Sequence, residues 1–335
     1  MPTAAFFSDQ PHLLDTVYGG DYAGTPRSRL HAMLDFYPAV VSAASFDAAA
    51  PHLRDLQVIF STWGMPCLTA AQIQRLPALK AVFYAAGTVQ YFARPFLECG
   101  VQVVSAWAAN AVPVVEFSVA QIFLALKGYF PALRQCRTPQ GRASFVNHYP
   151  GAYGSRVAVL GAGMIGAQVL EALRPHDVEC LVFDPFLSEA RAAALGARKV
   201  SLEEAFSEAF VISNHLADLP ETRGMLRRDL FERMQPYAAF INTGRGATVD
   251  EAGMLDVFSR RPDLTALIDV TYPEPPAPDS PFYRLENVLL SPHMAGSIGA
   301  EVSRQADWTI EEYTRFAAGQ PLRYAVTLEM LKTMA

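Results

Sequence analysis

What the sequence lacks narrows its function first. Cysteine is scarce: Cys67, Cys99, Cys136 and Cys180 lie far apart and form no CxxC pair. That spacing gives no thiolate pair to seed a zinc site, so no metal site is expected. The four thiols read as small hydrophobes in a reducing compartment, which makes the cytoplasm the expected location. Runs of Lys and Arg are also missing, and the formal net charge is -6, so no nucleic-acid partner is expected. No uninterrupted apolar stretch reaches the ~18 residues of a membrane helix, and no cationic segment precedes an apolar run at the N-terminus. Neither a membrane span nor a secretory leader is expected.

What is present belongs to an ordinary globular protein. The chain has 335 residues and is 51% hydrophobic, more than one core usually serves, so two domains are expected. Short apolar runs at Ala4 to Phe7, Ala39 to Ser42, Val58 to Thr62, Ala81 to Ala85 and Val101 to Ala106 read as buried parallel strands. Helical signals at Pro51 to Leu56 and Thr69 to Leu76 alternate with them, the second capped by Thr69. A long, mostly apolar helix is predicted from Pro113 to Tyr129, and Pro131 to Gly154 reads as a connector.

A second alternating region follows, with strands expected at Val157 to Leu160, Leu181 to Asp184, Val211 to Asn214, Ala239 to Asn242, Ala266 to Asp269 and Val288 to Ser291. A final helix is expected over Ala300 to Ala318. The fold class is therefore α/β, with doubly wound parallel sheets.

The motif Gly161-Ala-Gly163-Met164-Ile165-Gly166 stands between a predicted strand and a predicted helix. Its first two glycines permit a tight turn and close backbone approach to a pyrophosphate, while Gly166 lets helix and strand pack together. The helix N-terminus adds free N–H groups and partial positive charge. Asp184 ends the next strand 18 positions after Gly166, where an acid binds adenosine ribose hydroxyls and repels a 2′-phosphate. Pro185 and Phe186 follow it instead of Arg or Lys, which favours NAD over NADP, although Arg191 lies within reach in sequence.

Three polar clusters end later strands, where an open α/β sheet places its ligands. They are Asn242-Thr243-Gly244-Arg245-Gly246, Asp269 to Pro275 with Glu274, and Ser291-Pro-His293-Met-Ala-Gly296. Arg245 offers a fork of donors for a carboxylate and a neighbouring carbonyl. His293 has the imidazole chemistry to give or take a proton near neutral pH. A Glu274 beside it would favour the imidazolium form and fix the ring. Taken singly, each has a bland reading: a solvated Arg, an exposed Glu, a His bridging backbone. Together and in this order they point to catalysis.

These residues resemble the D-isomer-specific 2-hydroxyacid dehydrogenases over most of the chain. The resemblance rests on Gly161 to Gly166, Asp184, the segment His215-Leu-Ala-Asp-Leu-Pro-Glu-Thr222, Ile241 to Gly246, Asp269 to Pro275, and Ser291 to Gly296. It implies that Arg245, Glu274 and His293 are catalytic, and that Asp184, His215, Thr243 and Asp269 contact NAD, with Gly296 also on the cofactor side.

The same resemblance implies a Rossmann NAD-binding domain, 106-296, inserted into a flavodoxin-like substrate domain, 1-105 and 297-335, and a homodimer formed through the long helix. It places Ala86-Gly87 at the substrate carboxylate. Trp63, in the uncharged loop Ser61 to Pro66, either borders the substrate or fills packing space; as a border it disfavours a phosphorylated substrate. The sequence departs from the family at Gly87-Thr-Val-Gln90, which lacks the usual Asp, and at Ala217, where Pro is usual. Glu274 sets it apart from the formate dehydrogenase branch.

The expected function is thus NAD-dependent interconversion of a small 2-hydroxy acid, of D configuration, and its 2-oxo acid. A second reading is an NAD(H)-sensing, corepressor-like binding protein with little turnover, against which the complete Arg, Glu and His set stands.

Overall fold

Buried apolar runs become strands here wherever helices cover both faces of a sheet. The computed structural model describes residues 3–332. The chain divides into two units: the first runs to Ala111 and resumes at Ser297, and the second is Val112–Gly296. The first of these boundaries lies six residues beyond the expected 105/106, because the helix Trp107–Leu126 starts on the first unit.

In the first unit, β1 (Ala4–Phe7), β2 (Val58–Ser61), β3 (Ala81–Tyr84) and β4 (Gln102–Ser105) pair in parallel, and β12 (Ala325–Val326) closes the edge antiparallel to β4. The run Ala39 to Ser42 is not a strand. Its Val41 makes one isolated parallel bridge to Phe7, and Phe36 another to Ala4. With this segment counted beside β1, the order is the flavodoxin-like one.

Strand alternation sends Phe7, Ile59, Val82 and Val103 into one core, and Phe6, Phe60, Phe83 and Val104 into the other. The helix Val302–Ala317 lays Ala306, Ile310 and Tyr313 on the second core, where the Tyr313 ring meets Phe60 and Phe83 edge-on at 5.6 and 5.7 Å. Each such aromatic, fully buried, stabilises the fold by about 1.5–3 kcal/mol. The expected helix at Pro51 to Leu56 is only a 3-10 turn, Ala50–His52, following the short helix Phe46–Ala49. Thr69 does cap its helix, in a reciprocal box with Gln72.

The second unit is a seven-stranded, all-parallel sheet. In chain order its strands are β5 (Ser155–Leu160), β6 (Val178–Phe183), β7 (Ala197–Lys199), β8 (Val211–Asn214), β9 (Ala239–Asn242), β10 (Thr265–Ile268) and β11 (Val288–Leu290). They lie in the order β11-β10-β9-β8-β5-β6-β7. The chain winds outward from β5 to β7, crosses back, and winds the other way from β8. The crevice between β5 and β8 is therefore the topological switch point, where such sheets bind ligands.

Two stretches depart from expectation. Pro113 lies inside the helix Trp107–Leu126 rather than at its start. The connector Pro131 to Gly154 carries two short helices, Tyr129–Gln135 and Pro139–Ala143. Trp107–Leu126 is long and apolar enough by length and composition to cross a membrane, with mean hydropathy 1.6, although Asn110, Glu116, Ser118 and Gln121 interrupt it. Half of it is buried in the protein, where Val115, Ile122, Ala125 and Leu126 pack with Val157, Val159 and Ile241.

Candidate active site

The phosphate loop leaves β5 at the switch point. Gly161 has φ +86°, and a Cβ there would come within 2.9 Å of the His215 carbonyl oxygen, so both backbone shape and space demand glycine. At Gly166 a Cβ would lie 1.9 Å from the Gly161 carbonyl oxygen, because the helix Met164–Leu173 presses onto the loop there. Gly163 caps that helix without a side chain and faces open space, with no atom within 4 Å of where a Cβ would stand. Met164 and Ile165 form the first turn, Met164 exposed and Ile165 packed on the core. An open cradle of glycine and free helix-terminal N–H groups fits a pyrophosphate.

Asp184 follows β6 and is tied to the same loop. Its Oδ2 accepts the Ala162 N–H at 2.8 Å and its Oδ1 the Phe186 N–H at 2.8 Å. The carboxylate is thus held at the rim of the cradle, as a ribose-binding acid needs to be.

His215, just past β8, joins a chain of hydroxyls. Its Nε2 meets Ser213 Oγ at 2.9 Å and its Nδ1 meets Thr243 Oγ1 at 3.4 Å, while Thr243 Oγ1 lies 3.0 Å from Ser118 Oγ. Enclosure pushes the imidazole down to about 4, so it is neutral at physiological pH. His215 thus ties Ser213 to Thr243 as a neutral ring.

Arg245 rides a loop built by buried amides. Asn214 Nδ2 donates to Asn242 Oδ1 and to Thr248 Oγ1, Thr248 Oγ1 donates to the Arg245 carbonyl at 2.7 Å, and the Gly244 N–H donates to Asn242 Oδ1. Sequence reasoning missed Asn214 and Thr248, although an Asn ending each of two adjacent strands, β8 and β9, was the available signal. Burial pulls the guanidinium below its ordinary value, and the charges of Asp218 and Glu274 push it back. A largely desolvated cation of this kind binds a carboxylate more strongly than one in water.

Ala217 sits where the family pattern calls for Pro, and other contacts shape the turn. Thr222 Oγ1 donates to the Ala217 carbonyl at 2.6 Å and accepts the Leu219 N–H at 2.9 Å, and Asp218 is paired with Arg223.

Asp269, 2% exposed, organises the His293 loop. Its Oδ1 accepts from Ser291 Oγ at 2.6 Å and from the Met294 N–H at 2.9 Å; its Oδ2 accepts the Ala295 N–H at 2.9 Å. Its carbonyl accepts the His293 N–H at 3.0 Å. This clamp holds His293 at φ 51°, a left-handed conformation that costs a non-glycine residue about 1–2 kcal/mol. Gly296 ends the loop and the unit.

The strained backbone brings the ring to Glu274. His293 Nδ1 lies 2.9 Å from Glu274 Oε1 and 3.1 Å from Oε2, with both side chains about half exposed. With Nδ1 engaged by the carboxylate, Nε2 is the nitrogen that exchanges a proton with anything bound beside it. The structure thus assembles Arg245, Glu274 and His293 at one edge of the second unit's sheet.

The remaining residues belong to the first unit. Ala86 and Gly87 form the bend after β3, and Ser105 Oγ donates to both their carbonyls, at 2.8 and 2.7 Å. Trp63 is half-buried and packs against both cores of that unit. Among the described residues no group of three or more His, Cys, Asp or Glu is placed to hold a metal ion.

Comparison with known proteins points one way. Residues 119–295 match the family model "D-isomer specific 2-hydroxyacid dehydrogenase, NAD binding domain". A D-3-phosphoglycerate dehydrogenase of Archaeoglobus fulgidus is 29% identical over 239 residues, 70% of this chain and 44% of that protein. The chain thus spans less than half the length of the phosphoglycerate dehydrogenases it matches. A glyoxylate reductase of Korarchaeum cryptofilum is 26% identical over 288 residues, 84% of this chain and 86% of that one. A 2-hydroxyacid dehydrogenase from Ketogulonicigenium vulgare shares the fold with a TM-score of 0.75 at 22% identity, covering 98% of this chain and 99% of its own.

Proposed function

The chain belongs to the D-isomer specific 2-hydroxyacid dehydrogenases, and on that footing we propose that it interconverts a small D-2-hydroxy acid and its 2-oxo acid. The observation that carries the reading is the Glu274–His293 pair at 2.9 Å, with Arg245 near enough to feel the Glu274 charge. NAD, when bound, supplies the hydride chemistry. Gly161, Gly163, Met164, Ile165, Gly166 and Asp184 would hold it through pyrophosphate and ribose, with His215, Thr243, Asp269 and Gly296 on the cofactor side.

In the reducing direction His293 Nε2 gives a proton to the carbonyl oxygen as hydride reaches the carbon; in the oxidising direction it takes that proton back. Glu274 keeps the ring oriented and stabilises its protonated form. Arg245 holds the substrate carboxylate and draws negative charge onto the carbonyl oxygen. We assign Ala86 and Gly87 to the substrate carboxylate, their bend anchored by Ser105, and Trp63 to the substrate border. Its uncharged loop supports an unphosphorylated substrate, unlike that in the name of the phosphoglycerate relatives.

We further propose a cytoplasmic homodimer. Four free thiols, two of them exposed, support a reducing compartment. Exposed Leu124, Tyr129, Leu133, Val146 and Tyr153, on or after the long helix, support a self-associating face. The partners are small 2-oxo and 2-hydroxy acids.

The test is NADH consumption with glyoxylate, pyruvate, phenylpyruvate, hydroxypyruvate and a phosphorylated 2-oxo acid, with NADPH run in parallel. Turnover with an unphosphorylated acid and NADH is expected. NADH binding with no turnover on any acid would overturn the reading.

A further inference from the structure

The loop that carries Glu274 has unusually few ways to be held in place. From Val270 to Pro278 it reads Val-Thr-Tyr-Pro-Glu-Pro-Pro-Ala-Pro, and its four prolines have no N–H to donate. Tyr272 through Pro275 are exposed, so core packing does not fix them either. Yet Glu274 must stay within hydrogen-bond distance of His293 if the pair is to work.

Contacts away from His293 also restrain the loop. Thr271 is buried, and its backbone lies so close to Gly246 that a Cβ there would come within 2.1 Å of the Thr271 carbonyl carbon. Thr271 Oγ1 donates to the Pro273 carbonyl at 2.9 Å, a bond internal to the loop. Beyond Thr271 and apart from His293 itself, Glu251 ties the loop to the rest of the unit: its Oε1 accepts the Tyr272 N–H at 2.8 Å. Glu251 opens the ten-residue helix Glu251–Arg260, whose Asp250 cap and buried Met254, Val257 and Phe258 make it a rigid post.

We propose that Glu251 is a positioning residue for the Glu274–His293 pair: its carboxyl oxygen pins the Tyr272 N–H, and so holds Glu274 where it meets the imidazole. Its catalytic consequence rests on the dehydrogenase reading above; the anchoring itself does not.

The environment of Glu251 agrees with this role. Burial pushes its carboxyl up to about 7, the Tyr272 N–H pulls it back, and the Glu274 charge adds to the rise. With a value of about 7 both forms of the carboxyl are present near neutral pH, and either offers an oxygen to the Tyr272 N–H. The role therefore needs an oxygen acceptor at this point rather than a charge, and glutamine can supply one.

The test uses the full chain with Glu251→Gln, Glu251→Ala and Glu251→Met, the last keeping side-chain length without an oxygen so that a folded acceptor-free variant is in hand. Two readouts are taken: amide hydrogen exchange at Tyr272, and kcat and KM for NADH and the 2-oxo acid. Loss of one hydrogen bond of this kind predicts about tenfold faster exchange at Tyr272 in the Ala and Met variants. A displaced Glu274 predicts a kcat lower by about tenfold or more, with KM for NADH unchanged. Gln should stay within about twofold of the wild type on both readouts, since it keeps the acceptor. Unchanged exchange and kcat without the acceptor would overturn the proposal, as would a Gln variant as impaired as Ala. If the wild type reduces no 2-oxo acid, the dehydrogenase reading falls, while the exchange data still decide whether Glu251 anchors the loop.

Discussion

At the scale of single residues, the candidate site separates the side chains proposed for chemistry from those that hold them. Arg245, Glu274 and His293 were legible in the sequence because guanidinium, carboxylate and imidazole at strand ends have few other joint uses. Asn214, Thr248, Ser105 and Glu251 were not: Asn214 bonds side chains on distant segments, Ser105 and Glu251 bond backbone groups far away in sequence, and Thr248, though close to Arg245, looks ordinary in its own segment. His215 shows the limit from the other side: its type suggests proton transfer, but its surroundings keep it neutral.

That neutrality predicts a pH dependence. The folded-state value of His215, about 4, lies below the ordinary 6.5. Between the two, the unfolded chain binds a proton that the folded chain does not, so acid favours unfolding. Its contribution is fully present above 6.5 and is lost as pH falls toward about 4. Urea midpoints measured from about pH 7 down to about pH 5 should fall further for the wild type than for His215→Gln. Equal losses would mean that His215 is already charged in the folded protein.

At the scale of elements, strands were read well where they are continuous buried runs, as in β2, β3, β8 and β9. Of the edge strands, β1 and β11 were read, while β7 and β12 were missed. The three residues of β7, Ala197–Lys199, include Arg and Lys and carry no apolar pattern. Ala39 to Ser42 has the pattern, but only Val41 reaches the sheet. Pro113 misled in a different way. Proline favours the first turn of a helix, yet here six residues of Trp107–Leu126 precede it. Asn110, within those six, accepts from the Ser297 N–H and Gln305 Nε2, both at 3.1 Å, contacts that no local signal announces.

The turn at Gly161 and the close packing at Gly166, by contrast, were legible in the sequence, because steric demands at a tight strand-to-helix turn are local. Gly166→Ala tests this. Its methyl would meet the Gly161 carbonyl oxygen, and the backbone would have to shift. The expected cost is about 1–3 kcal/mol of stability together with weaker NADH binding. Thermal unfolding and fluorescence titration would check it, and an unchanged NADH affinity would remove Gly166 from the cofactor site.

At the scale of the whole molecule, one chain builds a first unit, passes through a second and returns to finish the first. The order of apolar runs suggested two sheets, and the family resemblance supplied the return, which is made by the helix Val302–Ala317 packing on the first unit's core. The length of that excursion explains the order of the functional residues. The phosphate loop, Arg245, Glu274 and His293 all follow strands of the inserted unit, and the parallel direction of those strands brings them to one edge of a single sheet.

The central claim is that His293, held by Glu274, moves the proton. The most direct measurement compares the wild type with His293→Gln for 2-oxo acid reduction at saturating NADH, with NADH binding followed separately by fluorescence. The account predicts a kcat lower by about 10²- to 10⁴-fold with NADH affinity retained. A variant that turns over at the wild-type rate would contradict it.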